Sequence, residues 1–152
     1  MKRVLFLCTA NYYRSRFAEH LFNWLAEQEG LPWRADSRGV NADQWNNIGA
    51  ICSYTIDALR ELGVPVPTED RLPRQLTLAD LAGADLVIAV KEEEHRAMMA
   101  DRFPQWTDRL EYWHVHDLDC AQPEEALPIL EANVRALVER LTADGDEECR
   151  AA

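Results

Sequence analysis

Short apolar runs alternate with amphipathic stretches along this chain, and that alternation constrains its fold more than any other feature. Residues 3–8 and 85–90 are mostly apolar runs of strand length. After the first run, apolar residues recur at three- and four-residue spacing, which indicates a helix with one buried side. Strands that alternate with helices predict an α/β fold. We therefore expect one three-layer domain, in which a four-stranded parallel sheet carries helices on both faces.

The predicted boundaries follow from the apolar spacing and from the positions of glycine and proline. Strands are predicted at residues 3–8, 33–37, 85–90 and 110–116. Helices are predicted from Ser15 to a stop at Gly30, at 48–62, just before 85, at 91–103 and at 123–141. Residues 1–142 then form one domain, and the polar, acidic segment 143–152 is expected to be frayed.

The charge of the chain limits its partners. It has 27 acidic and 16 basic residues, a formal net charge of −11, which argues against nucleic acids and anionic membranes. No run approaches the ~18 apolar residues of a membrane span, and the start lacks the apolar core of a signal peptide. Four scattered cysteines form no CxxC pair, which favours free thiols. We predict a cytoplasmic protein, and the sequence leaves its oligomeric state open.

The turn between the first strand and the first helix combines a thiol, an arginine and a hydroxyl. Ligands of parallel sheets bind beyond the carboxyl ends of the strands, where Cys8 lies. Backbone N–H groups of the turn and of the helix start favour a bound anion and a thiolate, and Arg14 matches two phosphate oxygens. Ser15 can donate its hydroxyl to the sulfur, so the turn suits covalent catalysis on phosphate. The predicted phosphate-binding residues are Thr9, Ala10, Asn11, Tyr12, Tyr13 and Ser15.

Four positions of this turn match a known pattern. The letters CTANYYRS agree with C-x-G-N-x-x-R-S at Cys8, Asn11, Arg14 and Ser15, and here the chain resembles the low-molecular-weight protein tyrosine phosphatases. Weaker matches follow in the same order along the chain. They are the segments DSRGV, ALRELGV, ADLVIAV and WHVHDLD, so that the resemblance spans about residues 1–140.

The resemblance implies an activity and a role for each matched residue. Cys8 would attack phosphorus to form a phosphocysteine, while Arg14 holds the phosphate oxygens. Asp117 would protonate the leaving oxygen and then activate water, and Asn11 and Ser37 would keep the loop in shape. The implied substrate is a phosphoprotein, with phosphotyrosine as the substrate residue, or a small phosphomonoester. Inorganic phosphate and other tetrahedral oxyanions would inhibit, and no metal or cofactor is implied.

The acid segment departs from the family pattern. Asp117 is followed by Leu118 where the family has proline, which would stiffen the loop by fixing φ. Asp119, two residues on, therefore remains an alternative general acid. The aromatic pair that usually follows is absent as well, so this side of the cleft lacks its usual wall.

Three positions within the loop also depart from the pattern. Ala10 replaces the usual glycine, so either its φ is negative or the loop is shifted. Tyr13 stands where many members have a second cysteine, which removes a protective disulfide with the nucleophile. Tyr12 lies at the mouth of the predicted pocket, where it either replaces the missing aromatic wall or narrows entry.

Other functions remain open from the sequence. A phosphate-binding module with weak turnover would result if the altered acid loop no longer works. Arsenate reduction would need two further cysteines in the region after ADLVIAV, which contains none. Phosphoarginine hydrolysis is a variant of the phosphatase reaction that depends on Tyr12, which is bulkier than the small polar residue expected there.

A metal site is not predicted. The segment from His114 to Cys120 is rich in potential ligands, but their spacing matches no known zinc site. His20 and His95 are expected to face solvent on helices, and KEEEH is expected to be a solvated helix start.

Overall fold

The computed structural model describes residues 1–47, 49–67 and 70–151. Its strands are β1 (Lys2–Cys8), β2 (Trp33–Gly39), β3 (Leu86–Ala89) and β4 (Glu111–Tyr112). Its α-helices are α1 (Arg14–Glu29), α2 (Ser53–Glu61), α3 (Leu78–Ala82), α4 (Glu92–Arg102) and α5 (Pro123–Ala151). Two 3₁₀ helices cover Ala42–Gln44 and Pro104–Trp106. In the described ranges, every helix is too short or too polar to cross a membrane.

The four strands form one parallel sheet in the order β2-β1-β3-β4, which confirms the predicted α/β fold. The chain leaves β1 to form β2 on one side and later crosses over to β3 on the other. Where the winding changes direction in this way, a crevice opens beyond the carboxyl ends of the strands. Cys8 is the last residue of β1 and therefore lies at the crevice.

Successive side chains of β1 point to opposite faces of the sheet, as in any pleated strand. Val4, Phe6 and Cys8 belong to the core that packs under α1, α2 and α5. Leu5 and Leu7 belong to the second core, which packs under α3 and α4. The nucleophile predicted from sequence thus points to the same face as the helix that follows it.

The end of β2 packs closely against the loop that follows β1 and forms hydrogen bonds with it. A Cβ at Gly39 would lie 2.7 Å from the Thr9 carbonyl oxygen and 2.9 Å from the Asn11 nitrogen, so only glycine fits this approach. Just beyond it, the Val40 N–H donates to the Cys8 carbonyl over 2.9 Å, and the Asn41 N–H donates to the Thr9 carbonyl over 3.0 Å.

Three predicted boundaries were wrong. The helix predicted at 48–62 is α2, Ser53–Glu61, and Ile48 lies outside the described residues. The strand predicted at 110–116 pairs as a strand only over Glu111–Tyr112, although the N–H of Val115 still donates to the Val90 carbonyl over 2.8 Å.

The third wrong boundary is the end of the final helix. Instead of ending at 141, α5 continues to Ala151, so the segment expected to be frayed is helical as far as that residue. Most residues of this segment are helix formers, and Lys2 at the start of β1 forms an ion pair with Glu148 at 3.4 Å.

Candidate active site

The loop between β1 and α1 turns on one residue with a left-handed backbone. Asn11 has φ 55°, whereas Ala10 is not among the described residues with positive φ. Asparagine adopts this conformation more readily than most residues. The alanine in place of the usual glycine therefore carries no left-handed strain.

The thiol predicted as nucleophile lies against the predicted hydroxyl. The Cys8 sulfur is 2.9 Å from Ser15 Oγ, and both side chains are buried. Asn11 Nδ2 donates to Ser15 Oγ over 2.9 Å, which leaves the Ser15 hydroxyl proton available to the sulfur. Within the described ranges, the backbone N–H groups of Ala10 and Tyr13 have no hydrogen-bond acceptor. Such free donors beside a helix start suit an anion.

A hydrogen-bond network behind the loop fixes Asn11. Its Nδ2 also donates to Ser37 Oγ over 2.8 Å, and the Ser37 hydroxyl donates to Glu19 over 2.6 Å. On the other side of the amide, Oδ1 accepts from Arg71 Nη1 over 2.9 Å and from the Arg74 N–H over 3.0 Å. Residues from α1, β2 and the segment after residue 70 thus hold the loop together.

Arg14 is almost fully buried, with 1% of its surface exposed, at the point where the loop joins α1. Its Nη1 donates to the Val115 carbonyl over 3.0 Å. Its Nη2 lies 2.7 Å from Glu94 and 3.2 Å from Asp117. Burial would lower the pKa of Arg14, but the negative charges of Cys8, Glu94 and Asp117 outweigh it and raise that pKa. The guanidinium is therefore fixed, charged and flanked by two carboxylates.

Glu94 and His95, at the start of α4, form a second polar cluster with Thr9. The Thr9 hydroxyl donates to Glu94 and lies 3.1 Å from His95 Nε2. His95 Nδ1 accepts from the Lys91 N–H over 3.1 Å, so Nε2 carries the proton and can donate to Glu94, 2.8 Å away.

The protonation of this pair follows from its burial and its partners. Burial would raise the pKa of Glu94, but the hydrogen bonds from His95 and Arg14 hold it well below its usual range. Burial lowers the pKa of His95 and keeps the ring neutral. A carboxylate anion and a neutral imidazole therefore lie directly beneath the loop.

The two loop tyrosines point to different surroundings. Tyr13 is 6% exposed and its ring belongs to the core, so only its backbone remains part of the loop. Tyr12 is half-buried and packs against the same core from outside. The Tyr12 carbonyl accepts from the Cys52 N–H over 2.9 Å, which ties the loop to the start of α2.

The two candidate acids differ in placement. Asp117 lies next to Arg14, and its Oδ1 accepts from the Leu118 N–H over 2.9 Å. Asp119 is exposed, and it has no hydrogen bond or ion pair with the described residues. The structure thus brings Asp117 to the crevice and leaves Asp119 outside it.

Sequence reasoning missed several residues of the site. The expectation that His95 faces solvent was wrong, because its ring is fully buried under the loop. Glu94 was assigned to a solvated helix start, although it directly contacts Arg14. Their location could have been predicted from their position in the chain. Glu94 and His95 follow β3, whose carboxyl end lies beside that of β1. Nothing in the local pattern indicated Arg71. In the described ranges, no group of three potential ligands is placed to hold a metal ion.

A cysteine at the carboxyl end of a central parallel strand, with an arginine closing the loop above it, is typical of a cysteine-dependent phosphatase. The family model of the low molecular weight phosphotyrosine protein phosphatases matches residues 3–147. The chain belongs to this family, which confirms the resemblance drawn from CTANYYRS.

Relatives within the family differ in the substrate that their names give. A protein-arginine-phosphatase of Bacillus subtilis (strain 168) is 32% identical over 107 residues, 70% of this chain and 67% of that protein. The low molecular weight protein-tyrosine-phosphatase YfkJ of the same organism is 35% identical over 95 residues, 61% of this chain and 58% of that protein. The crystal structure of YfkJ from Bacillus subtilis matches with TM-score 0.80 at 25% identity, covering 95% of this chain and 96% of that one.

Proposed function

We propose that this chain is a phosphoprotein phosphatase that hydrolyses phosphotyrosine through a phosphocysteine intermediate. The observation that carries the proposal is the 2.9 Å contact between the Cys8 sulfur and the Ser15 hydroxyl, made beside the buried guanidinium of Arg14. Membership of the phosphatase family supports the reaction class.

The proposed reaction has two steps. In the first, the Cys8 thiolate attacks phosphorus, the P–O ester bond breaks, and Asp117 gives its proton to the leaving oxygen. In the second, Asp117 takes a proton from water, the water oxygen bonds to phosphorus, and the S–P bond breaks. Arg14 and the free loop N–H groups hold the phosphate oxygens in both steps. The Ser15 hydroxyl stabilises the thiolate as it leaves.

Asp117 is our proposed general acid. It lies 3.2 Å from Arg14, whereas Asp119 is exposed. Phosphate oxygens held by Arg14 would lie beside the Asp117 carboxyl, which is within reach of the oxygen that leaves in the first step.

Phosphotyrosine is the proposed substrate residue because of Tyr12. Its ring is half-buried at the loop, and its exposed part offers an aromatic surface to an aryl ring. A second candidate, phosphoarginine, is favoured by the carboxylates of Glu94 and Asp117, which flank Arg14 and would attract a guanidinium leaving group. One relative is named for that activity.

Two measurements test the function. Wild type and Cys8→Ser are compared on p-nitrophenyl phosphate, and wild type is then compared on two peptides of one sequence carrying phosphotyrosine or phosphoarginine. We expect turnover only with Cys8 and a higher kcat/KM for phosphotyrosine. Turnover by Cys8→Ser would contradict the mechanism, and preference for phosphoarginine would replace the substrate residue. Phosphate binding without turnover by wild type would support a binding module instead.

A further inference from the structure

A groove of about 360 Å³ runs between α2 and α5, outside the active site. Its apolar lining comes from three helices: Phe17 of α1, Ala58 of α2, and Leu127 and Pro128 of α5, with Leu62 just after α2. We call this surface the α2–α5 groove. Its volume and apolar lining suit the side chains of a bound peptide segment.

The rim of the α2–α5 groove is acidic. The charged residues that line it are Asp57, Glu61, Glu124 and Glu131, and among the described residues no basic side chain lines it. Glu131 is paired with Arg135 at 2.8 Å, but the other three carboxylates have no ion pair with the described residues. An apolar floor with unneutralised carboxylates around it is complementary to a segment in which apolar residues alternate with lysine or arginine.

The elements that line the groove begin at the active site. Phe17 lies on the first turn of α1, one turn after Arg14. Cys52, directly before α2, donates its N–H to the Tyr12 carbonyl over 2.9 Å. Pro123, which also lines the groove, begins α5 shortly after Asp117. The groove is thus lined by helices that start near the loop and near Asp117, and this is the ground for inferring that a polypeptide with its phosphorylated residue in the loop continues into the groove.

We propose that the α2–α5 groove binds a basic, partly apolar segment adjacent to the phosphorylated residue of the protein substrate. This inference rests on the proposed phosphatase function and names the substrate class within it. The substrates are phosphoproteins whose phosphorylated residue has lysine- or arginine-rich neighbours. The groove lowers KM for such substrates and leaves the chemical steps unchanged.

The test uses two phosphotyrosine peptides that differ in one flank. One flank alternates leucine with lysine, and in the other each lysine is replaced by glutamate. Three proteins are compared at low salt: wild type, Asp57→Lys/Glu61→Lys in the groove, and Glu27→Lys/Glu29→Lys at the far end of α1. The control pair is exposed and changes the net charge equally. Rates on p-nitrophenyl phosphate check that all three proteins fold and react alike.

We expect wild type and the control to prefer the basic peptide through a lower KM, and the groove variant to lose that preference roughly tenfold. Equal losses in both double variants would show an effect of overall charge and would overturn the groove. Normal turnover of p-nitrophenyl phosphate with no preference for the basic peptide would overturn it as well, while the phosphatase function stands.

A binding measurement separates the groove from catalysis. A fluorescein-labelled, unphosphorylated peptide with the basic flank is titrated with the same three proteins, and anisotropy gives Kd. Weaker binding to the groove variant alone supports the inference even if no turnover is found. Equal binding to all three proteins contradicts it.

Discussion

Arg71 donates from Nη1 to Oδ1 of Asn11 over 2.9 Å, and this contact orients the amide on which the phosphate loop turns. The same amide donates to Ser15 and Ser37 through its nitrogen. Arg71 Nη2 also lies 3.0 Å from Glu19, so one guanidinium connects the loop with α1. The geometry of the sulfur and its hydroxyl neighbour therefore depends on a side chain that contacts neither of them.

Replacement of Arg71 should reduce catalysis more than substrate binding. In Arg71→Ala, Oδ1 of Asn11 loses one of its two donors, and Glu19 and Asp36 lose a cationic partner at about 3 Å. We expect kcat on p-nitrophenyl phosphate to fall roughly 10- to 100-fold with a smaller change in KM. We also expect the free energy of unfolding to fall by about 3 kcal/mol, measured in urea.

Arg74→Ala is the matched control for this segment. The Arg74 side chain is exposed, and its contact to Asn11 comes from the backbone N–H, which alanine retains. We expect a change within about 0.5 kcal/mol and a wild-type kcat. A wild-type kcat in Arg71→Ala, with the protein folded, would show that the loop keeps its shape without this contact.

Glu94 should govern how strongly phosphate stabilises the protein. Its carboxylate lies 2.7 Å from Arg14, so Glu94→Gln leaves a buried guanidinium with less negative charge around it. Without phosphate, we expect the free energy of unfolding to fall by roughly 2–3 kcal/mol, and Tm to fall with it. Inorganic phosphate should then raise Tm more in the variant than in wild type, because the anion replaces the missing charge.

The comparison for this prediction is Glu93→Gln, at an exposed position on the same turn of α4. It removes the same charge from the chain without touching Arg14. Calorimetry over a phosphate titration distinguishes the two variants. An identical phosphate response in both would mean that the Arg14–Glu94 pair does not oppose phosphate.

His95 should make stability fall in mild acid. Burial lowers its pKa in the folded state, so below about pH 6.5 the unfolded chain binds a proton that the folded chain does not. Its contribution is complete above that pH and is lost as the pH falls, by up to about 1.4 kcal/mol per pH unit. Urea unfolding at several pH values from about 7.5 to about 5.5, a range that brackets the ordinary histidine pKa, measures how the free energy of unfolding changes with pH.

A residue that cannot titrate removes this dependence. In His95→Gln, the amide oxygen can accept from the Lys91 N–H and the amide nitrogen can donate to Glu94, so the contacts are conserved in kind. We expect a flatter pH profile in this variant and an unchanged one in His116→Gln, where the ring is exposed. A wild-type slope in His95→Gln would assign the acid sensitivity to other groups.

The general acid can be identified by comparing aspartate variants on substrates whose leaving groups differ in their need for a proton. Asp117→Asn should lower kcat/KM by about 10²- to 10⁴-fold on phenyl phosphate, whose leaving oxygen needs a proton. The loss should be smaller on p-nitrophenyl phosphate, because nitrophenolate leaves without help. Asp119→Asn is the paired variant and should stay near wild type, since this side chain is exposed. The reverse pattern would move the acid to Asp119.

The parts of the structure that were predictable from sequence are local. A continuous stretch of sequence determines each of three elements: the strand that ends at Cys8, the loop after it, and the helix that begins near Ser15. Because the sheet is parallel, these local elements also place Asp117 at the same edge. Local patterns therefore sufficed for the fold and for the placement of Cys8 beside Ser15.

The parts that were missed depend on contacts distant in sequence. Arg71 reaches Asn11 across 60 residues from a proline-rich connection that resembles an ordinary surface loop. Glu94 and His95 lie in a charged stretch, and such a stretch at a helix start is usually solvated. Their burial follows from the packing of α4 against the loop, which no local spacing encodes.

Removal of the Tyr13 hydroxyl should not lower the free energy of unfolding. Its hydroxyl is buried without a hydrogen-bond partner among the described residues, and burial, with the nearby charge of Asp117, raises the pKa of Tyr13 to about 12. Tyr13→Phe removes an unsatisfied group and keeps the ring, so we expect unchanged or greater stability, by up to about 1 kcal/mol. Tyr112→Phe is the control, because its hydroxyl donates to the Thr107 carbonyl over 2.7 Å and its loss should cost about 1 kcal/mol. Chemical denaturation of both variants measures the difference, and a larger loss in Tyr13→Phe than in Tyr112→Phe would show that the Tyr13 hydroxyl has a partner in solution.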